Sequence, residues 1–341
     1  IATLAVAFNS YLGQFVDLSP LAGKLVALAM IAVVMLVNVR GARQGADVQN
    51  VSTILKVTAI VAMSVVLLVA GRGWSHVTAG WPAHADASLF RGIGLAMVSV
   101  LWAYEGWQYA TFSAGETIDP QRTFPRGIVI GTALLIGIYV LVNVAYVAAL
   151  GTKGAAASDR IAAQAVGITV GPAAANIIAA IILVSMFSAA NGLALTAPRM
   201  YYAMARDGVF FSRMARIHPR YGTPAFAIMA SCAWAMVLAA SGTFEQLLTY
   251  VVFVGWIFYA LGALAIFVYR RRAPDAVRPF RTPGYPLTPI LFVLSAAAIV
   301  GNTVVAEPRR AAVGLGLMAL GVPAYLVWRF TARAARKTPG E

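Results

Sequence analysis

"LFRGIGLAMVSVLWAYEGWQYATFSAGETIDPQRTFPRG", residues 89–127, begins apolar enough to enter a bilayer, yet it carries Tyr104-Glu105-Gly106-Trp107-Gln108 in its middle. A carboxylate at bilayer depth costs roughly 2.5–3.5 kcal/mol on insertion scales, so something must offset it. Gly92–Leu101 is a short apolar half-span, and Gln108–Ser113 is a second that turns polar at Gly115-Glu116. Neither crosses a membrane alone. The pattern predicts a helix that unwinds between Trp102 and Trp107. Unwinding frees carbonyls on the first half and amides on the second, which is tolerated at that depth only beside a cavity or inside protein. Carbonyls at a half-helix C-terminus favour an ammonium group and amides at an N-terminus favour an anion. Such a break would suit a small zwitterion. The other reading of the same residues is a continuous helix with Glu105 facing a packed polar interior.

Outward from this stretch the chain keeps the same character. Its 341 residues are 60% hydrophobic and 11% charged, about half the charged fraction of a soluble domain. Runs of about twenty nearly uncharged residues, the length that spans a bilayer, recur throughout. They are Ala22–Val39, Val51–Ala70, the broken Gly92–Ala114, Ile128–Leu150, Gly171–Thr196, Pro224–Ala240, Leu247–Tyr269, Pro289–Val305 and Ala312–Phe330. The reading is an all-α polytopic membrane protein with one transmembrane domain over 1–341, ending in a basic tail over 333–341. Ile1–Val16 looks like the end of a further span, because the chain opens inside an apolar run without Met or a signal-peptide pattern. The expectation is a fragment that lacks an upstream part.

The net charge of +14 would suggest nucleic acid in a soluble protein, but its placement points elsewhere. If loops alternate sides, Arg199, Arg213, Arg216 and Arg220 share a side with Arg40, Arg43, Arg270–Arg272 and Arg333. Asymmetry of this kind predicts that the Arg-rich side, including the C-terminus, is cytoplasmic. No nucleic-acid partner is expected; the partners expected are the lipid bilayer and a small solute. The single Cys232 lies within a span and reads as packing filler. His76, His84 and His218 all fall in loops, so no His-based metal site is expected. No G-x-S-x-G, H-E-x-x-H or paired-carboxylate spacing is present. Neither an enzyme nor a cofactor is indicated. The stretch 76–86, with Trp74, Trp81 and Pro82, reads as an extracellular connection with interfacial aromatics.

Three stretches carry a resemblance. "LWAYEGWQYATFSAGETIDPQRTFPRGI" resembles the sixth helix and following loop of amino acid permeases of the amino acid–polyamine–organocation superfamily, nearest the L-type transporter branch and its bacterial relatives. "NGLALTAPRMYYAMARDGVFFSRMARIHPRYGTP" is similar to the end of the eighth helix and its cytoplasmic loop, and "GARQGADVQNVSTILKVTAI" to the start of the fifth. The resemblance implies a leucine-transporter-type inverted-repeat fold of about twelve helices, of which Ile1–Val16 would end the third and the nine spans would be helices four to twelve. The first two helices, including the Gly-rich break that takes the substrate carboxylate, would then be absent here. It implies a secondary amino acid transporter of the cytoplasmic membrane, working by alternating access with proton coupling or exchange. A polyamine or amine permease and a non-transporting receptor or scaffold are the rival readings; a homodimer is left open.

By the same resemblance Trp102, Ala103, Tyr104, Glu105 and Gly106 form the substrate-binding break. Trp102 would be an aromatic gate, and the backbone at Trp102, Ala103 and Glu105 would face the substrate amino group. The Glu105 side chain would either touch substrate or hydrogen-bond the freed amides. Lys56, the one lysine deep in a span, aligns with a fifth-helix lysine standing where sodium-coupled relatives hold sodium; a lysine snorkelling to the interface is the alternative. Phe253 and Gly255 would line the side-chain pocket, with plain packing as the rival for Phe253. Ser185, Ser188 and Asn191 share roughly one helix face. Ser188 and Asn191 read either as interhelical glue or as substrate contacts. Asp119, Arg122 and Arg126, with Arg206 and Asp207, would form a cytoplasmic gate cluster.

Overall fold

Nearly every predicted span becomes a helix, and the ends differ for identifiable reasons. The structure is a computed structural model describing residues 1–41, 43–70, 77, 87–112 and 117–337. The predicted connection 76–86 (apart from Val77), Trp74, the Gly115-Glu116 pair and residues 338–341 lie outside the described residues. The helices are α1 (Ala2–Leu12), α2 (Pro20–Arg40), α3 (Arg43–Ala70), α4 (Ala87–Ala103), α5 (Trp107–Thr111), α6 (Pro120–Ala156), α7 (Ile161–Thr169), α8 (Pro172–Arg206), α9 (Ala225–Ser241), α10 (Phe244–Arg272), α11 (Leu287–Ala306) and α12 (Pro308–Lys337). Among the described residues seven helices are long and apolar enough to cross a membrane. The nine predicted spans exceed that number because α4 and α5 are the two halves of a broken one and α9 has only 17 residues.

Local chemistry sets the boundaries. Ser19 caps α2, its Oγ accepting the Ala22 N–H at 3.3 Å, with Pro20 in the first turn where its missing N–H costs nothing. α6 continues past the predicted end at Leu150, but Gly151 leaves helical geometry there at φ 69°, ψ 168°. α8 runs ten residues beyond the predicted Thr196, through Pro198, into "MYYAMAR". α12 likewise continues to Lys337, so the basic stretch expected as a tail is helical through "TARAARK". Ala, Arg and Lys are strong helix formers, and charge does not stop a helix once it leaves the apolar layer.

The chain divides into two compact units. The first comprises residues 1–84, 127–200 and 216–241. In it α2 lies against α9 and α1, and α3 against α7. Its buried positions are dominated by small residues: Ala5, Ala27, Ala227, Cys232 and Ala239 are each under 5% exposed. Small side chains let backbones approach closely where lipid supplies no hydrophobic drive for association. At Gly23 the approach is so tight that a Cβ would stand 2.5 Å from Asn9 Nδ2. A second cluster joins Met63 and Leu67 of α3 to Val142, Ala145 and Ala149 of α6 and Ala162, Ala165 and Val166 of α7.

The second unit comprises residues 85–126, 201–215 and 242–341. There α10 is central, lying against α4, α11 and α12, while α4 also meets α11. Phe253, 2% exposed, fills the contact of α10 with α12, where a Cβ on Gly314 would come within 3.0 Å of its ring. Tyr201, Phe210, Phe211 and Trp328 form a run of stacked, tilted and edge-on rings, with centroids 4.9–5.8 Å apart, that ties the last turns of α8 and the segment after it to α12.

Candidate functional site: the broken helix and its carboxylate

The break is present. α4 stops at Ala103 and α5 starts at Trp107, with Tyr104, Glu105 and Gly106 in a turn between them. Gly106 has φ +128°, a region that side-chain-bearing residues rarely adopt. The last turn of α4 tightens, the Tyr104 N–H donating to Val100 O at 3.3 Å and the Glu105 N–H to Trp102 O at 3.0 Å. Beyond the break, Tyr109 N–H donates to Gly106 O at 3.1 Å. The helix is interrupted within the predicted interval, and its rival, a continuous coil, is excluded.

Side chains knit the turn together. The Gly106 N–H donates to Gln108 Oε1 at 3.1 Å, and the amide of the same Gln108 donates from Nε2 to Glu105 Oε1 at 2.5 Å. Tyr259 of α10 donates its hydroxyl to the same Glu105 oxygen. One amide freed by the break is thus taken by Gln108, and Glu105 anchors Gln108 in turn. Hydrogen bonds to a charged acceptor are worth about 1.5–3 kcal/mol each. Two of them together are of the size needed to offset the roughly 2.5–3.5 kcal/mol cost of a carboxylate at bilayer depth. That resolves how the acid is tolerated. Glu105 Oε1 is the shared acceptor of both donors.

Aromatic rings wall the site. Trp107 meets Tyr259 with centroids 5.3 Å apart, Trp256 meets Tyr259 edge-on at 6.0 Å, and Trp256 stacks on Phe292 of α11 at 5.6 Å. Trp102 and Tyr104 are half-buried, whereas the Ala103 and Trp107 side chains are exposed. Gly255 lies one turn before Tyr259, and a Cβ there would touch the Tyr259 ring at 3.6 Å. It leaves room beside the residue that holds Glu105. Tyr259, Gln108 and Trp256 were not singled out from the sequence. The i, i+4 step from Gly255 to Tyr259 and the i, i+3 step from Glu105 to Gln108 are the signals that point to two of them.

The other predicted positions fall as follows. Phe253 packs against α12 as described. Ser188 and Asn191, 5% and 6% exposed, lie in the first unit and link helices: Ser52 Oγ donates to Ser188 Oγ at 2.9 Å, and Asn38 Nδ2 donates to Asn191 Oδ1 at 2.7 Å. Lys56 also lies in that unit, half-buried on the face of α3 that carries Ser52 and Ile60. Among the described residues it has no ion-pair partner. Of the charge cluster, Arg122 Nε reaches Asp119 Oδ2 only at 3.9 Å, both side chains being more than half exposed. Arg206 lies 5.9 Å from the ring of its helix neighbour Tyr202. Among the described residues no ion pair joins Asp119, Arg122 or Arg126 to Arg206 or Asp207. No group of three or more His, Cys, Asp or Glu suited to a metal occurs among the described residues.

The sequence profile described as amino acid permease matches residues 1–327. The chain belongs to that family. Among its curated relatives, the "large neutral amino acids transporter small subunit 2" of Mus musculus is 28% identical over 338 residues, covering 96% of this chain and 62% of the relative. The "serine/threonine exchanger" of Bacillus subtilis is 25% identical, covering 95% of this chain and 74% of that protein. The human "cystine/glutamate transporter" is 28% identical over 340 residues, 96% of this chain and 66% of its own length. This permease chain thus spans about three-fifths of the first of these. The broken helix with its carboxylate is the feature of the permease fold on which the functional reading turns.

Proposed function

We propose that the intact protein is a secondary transporter of amino acids, working by alternating access around the break at Tyr104–Gly106. The observation that carries the reading is Gly106 at φ +128° within an apolar span, beside a carboxyl group held by Gln108 and Tyr259. A half-helix C-terminus presents the negative end of its dipole, so the substrate ammonium sits against the α4 end near Trp102, Ala103 and Glu105. Glu105 adds negative charge to that end while Tyr259 and Gln108 fix its position. Trp102, Tyr104 and Trp107 supply aromatic surface, and Gly255 leaves space for the substrate side chain. The relatives named as transporters and an exchanger of amino acids support the substrate class.

Lys56 stands in for a coupling sodium ion in this reading, which leaves proton coupling or exchange as the driving mode. Ser188 and Asn191 keep α2, α3 and α8 in register. The protein lies in the cytoplasmic membrane with its Arg-rich ends inside, and Asp119, Arg122, Arg126, Arg206 and Asp207 meet when the inner side closes. Proteoliposomes holding the intact protein test this: labelled neutral amino acid should accumulate when unlabelled amino acid or a proton gradient is imposed. No time-dependent uptake under either condition removes the proposal. Strong block by putrescine with none by neutral amino acids would assign the site to amines.

A further inference from the structure

In the second unit, an open furrow of about 310 Å³ runs along the end of α10 into the loop that follows it. Its inner part is lined by Gly262, Ala265, Ile266 and Tyr269, which recur at i, i+3, i+4 and i+7 and so form one stripe of the helix. Arg270, Arg278 and Thr282 form its mouth. The inner part is open: a Cβ on Gly262 would meet nothing within 4 Å, and the nearby Phe258, Leu261 and Val268 are about half exposed. On a span of this length and hydropathy such a surface faces acyl chains.

The two arginines of the mouth have different tasks. Arg278 donates from Nη1 to Pro274 O and Ala276 O at 2.9 Å, and from Nη2 to Ala273 O. It fastens the loop to the end of α10, so it shapes the furrow rather than binding in it. Arg270 has its guanidinium carbon 3.6 Å from the centre of the Tyr285 ring, and Tyr285 meets Phe267 with centroids 5.5 Å apart. At that separation the planar group lies flat on the ring, because an edge-on approach would drive a nitrogen into it. Stacking engages the face of the guanidinium and leaves the N–H groups along its edge for an acceptor. Among the described residues Arg270 makes no ion pair, and the half-buried Thr282 hydroxyl makes no hydrogen bond. Residues 270–281 hold five arginines against the single acid Asp275, and Arg271, Arg272 and Arg281 are exposed.

We infer that this furrow binds an anionic phospholipid, its phosphate on the Arg270 edge and Thr282 and an acyl chain along the stripe from Gly262 to Tyr269. An apolar stripe running into a basic mouth complements a molecule that is apolar at one end and anionic at the other. A soluble phosphate would fill the mouth and leave the stripe bare. A zwitterionic lipid would bring its own cation against the arginines. The inference stands apart from the broken helix and is measured without transport.

Native mass spectrometry of the intact protein, delipidated in a non-ionic detergent, reads the occupancy directly. Titrated with phosphatidylglycerol, the wild type should retain one lipid, and phosphatidylcholine should bind at least about fivefold more weakly. Arg270→Gln should weaken phosphatidylglycerol binding about fivefold, and so should Arg281→Gln, which does not touch the Tyr285 stack. Gly262→Leu fills the furrow at unchanged charge and should weaken binding by about fivefold or more. Arg309→Gln, at an exposed arginine opening α12, should leave it unchanged. Inorganic phosphate should displace the lipid no better than sodium chloride of the same ionic strength. Equal retention of phosphatidylcholine, or selective displacement by phosphate, would overturn the inference. So would unchanged affinity in the arginine variants or in Gly262→Leu. Melting temperatures without added lipid verify the fold; if Arg270→Gln melts early, Arg281→Gln and Gly262→Leu, both at exposed positions, decide the matter.

Discussion

Glu105 is tolerated because a glutamine three residues on and a tyrosine from another helix both donate to it. Tyr259→Phe removes one donor at almost constant volume, leaving Gln108 alone. The expected loss of thermal stability corresponds to about 1.5–3 kcal/mol. Trp256→Phe, which keeps an aromatic ring between Tyr259 and Phe292 and removes no donor to Glu105, should lose less. Equal melting temperatures for wild type and Tyr259→Phe would show that the hydroxyl does not hold the carboxyl. Gly106 carries a different requirement. Its φ of +128° is strained for any residue with a Cβ, although a Cβ there meets nothing nearer than 4.0 Å. Gly106→Ala should therefore destabilise by about 1–3 kcal/mol through backbone strain alone. Crowding makes no contribution, so Gly106→Ser should behave like Ala. A neutral Gly106→Ala in thermal unfolding would mean that the turn does not need this conformation.

Among the elements, α8 shows how polar residues act inside an apolar layer. Asn191 and Ser188 each bond to a different helix, Asn38 on α2 and Ser52 on α3. Asn38 Nδ2 also donates to Val34 O at 2.8 Å, so loss of Asn191 leaves it a partner within its own helix. Interhelical hydrogen bonds in membranes average about 0.6 kcal/mol by double-mutant cycle. The cycle of Asn38→Ala and Asn191→Ala should return a coupling of that order. A coupling near zero would mean that the pair contributes nothing to holding α2 on α8. The continuation of α8 and α12 beyond their apolar stretches follows from propensity. Leaving the hydrocarbon removes the penalty on Arg and Lys but not their preference for helix. Hydropathy marks where the membrane layer ends, which is a different point from where a helix ends.

For the whole molecule, the arginine distribution predicts an orientation, and it belongs to the chain rather than to either unit. Most of the 26 basic residues lie on one predicted side, and translocation of such loops is disfavoured. A cysteine placed at exposed Val277, after α10, should react only with reagent reaching the cytoplasmic side, and one at Thr169, before α8, only from outside. The reverse pattern would invert the topology. The all-α membrane character, the family and the interval containing the break were legible in the linear order of residues. Hydropathy, charge placement and the Tyr-Glu-Gly-Trp run are local, and the bilayer acts on each segment in turn. What satisfies Glu105 was not legible, because Tyr259 lies more than a hundred residues away and only the contact of α4 with α10 makes them neighbours. The same holds for Ser188 and Asn191, whose partners sit on two other helices. Partnership and burial depend on which surfaces meet. Those meetings are properties of packing in three dimensions, for which one-dimensional periodicity carries no signal.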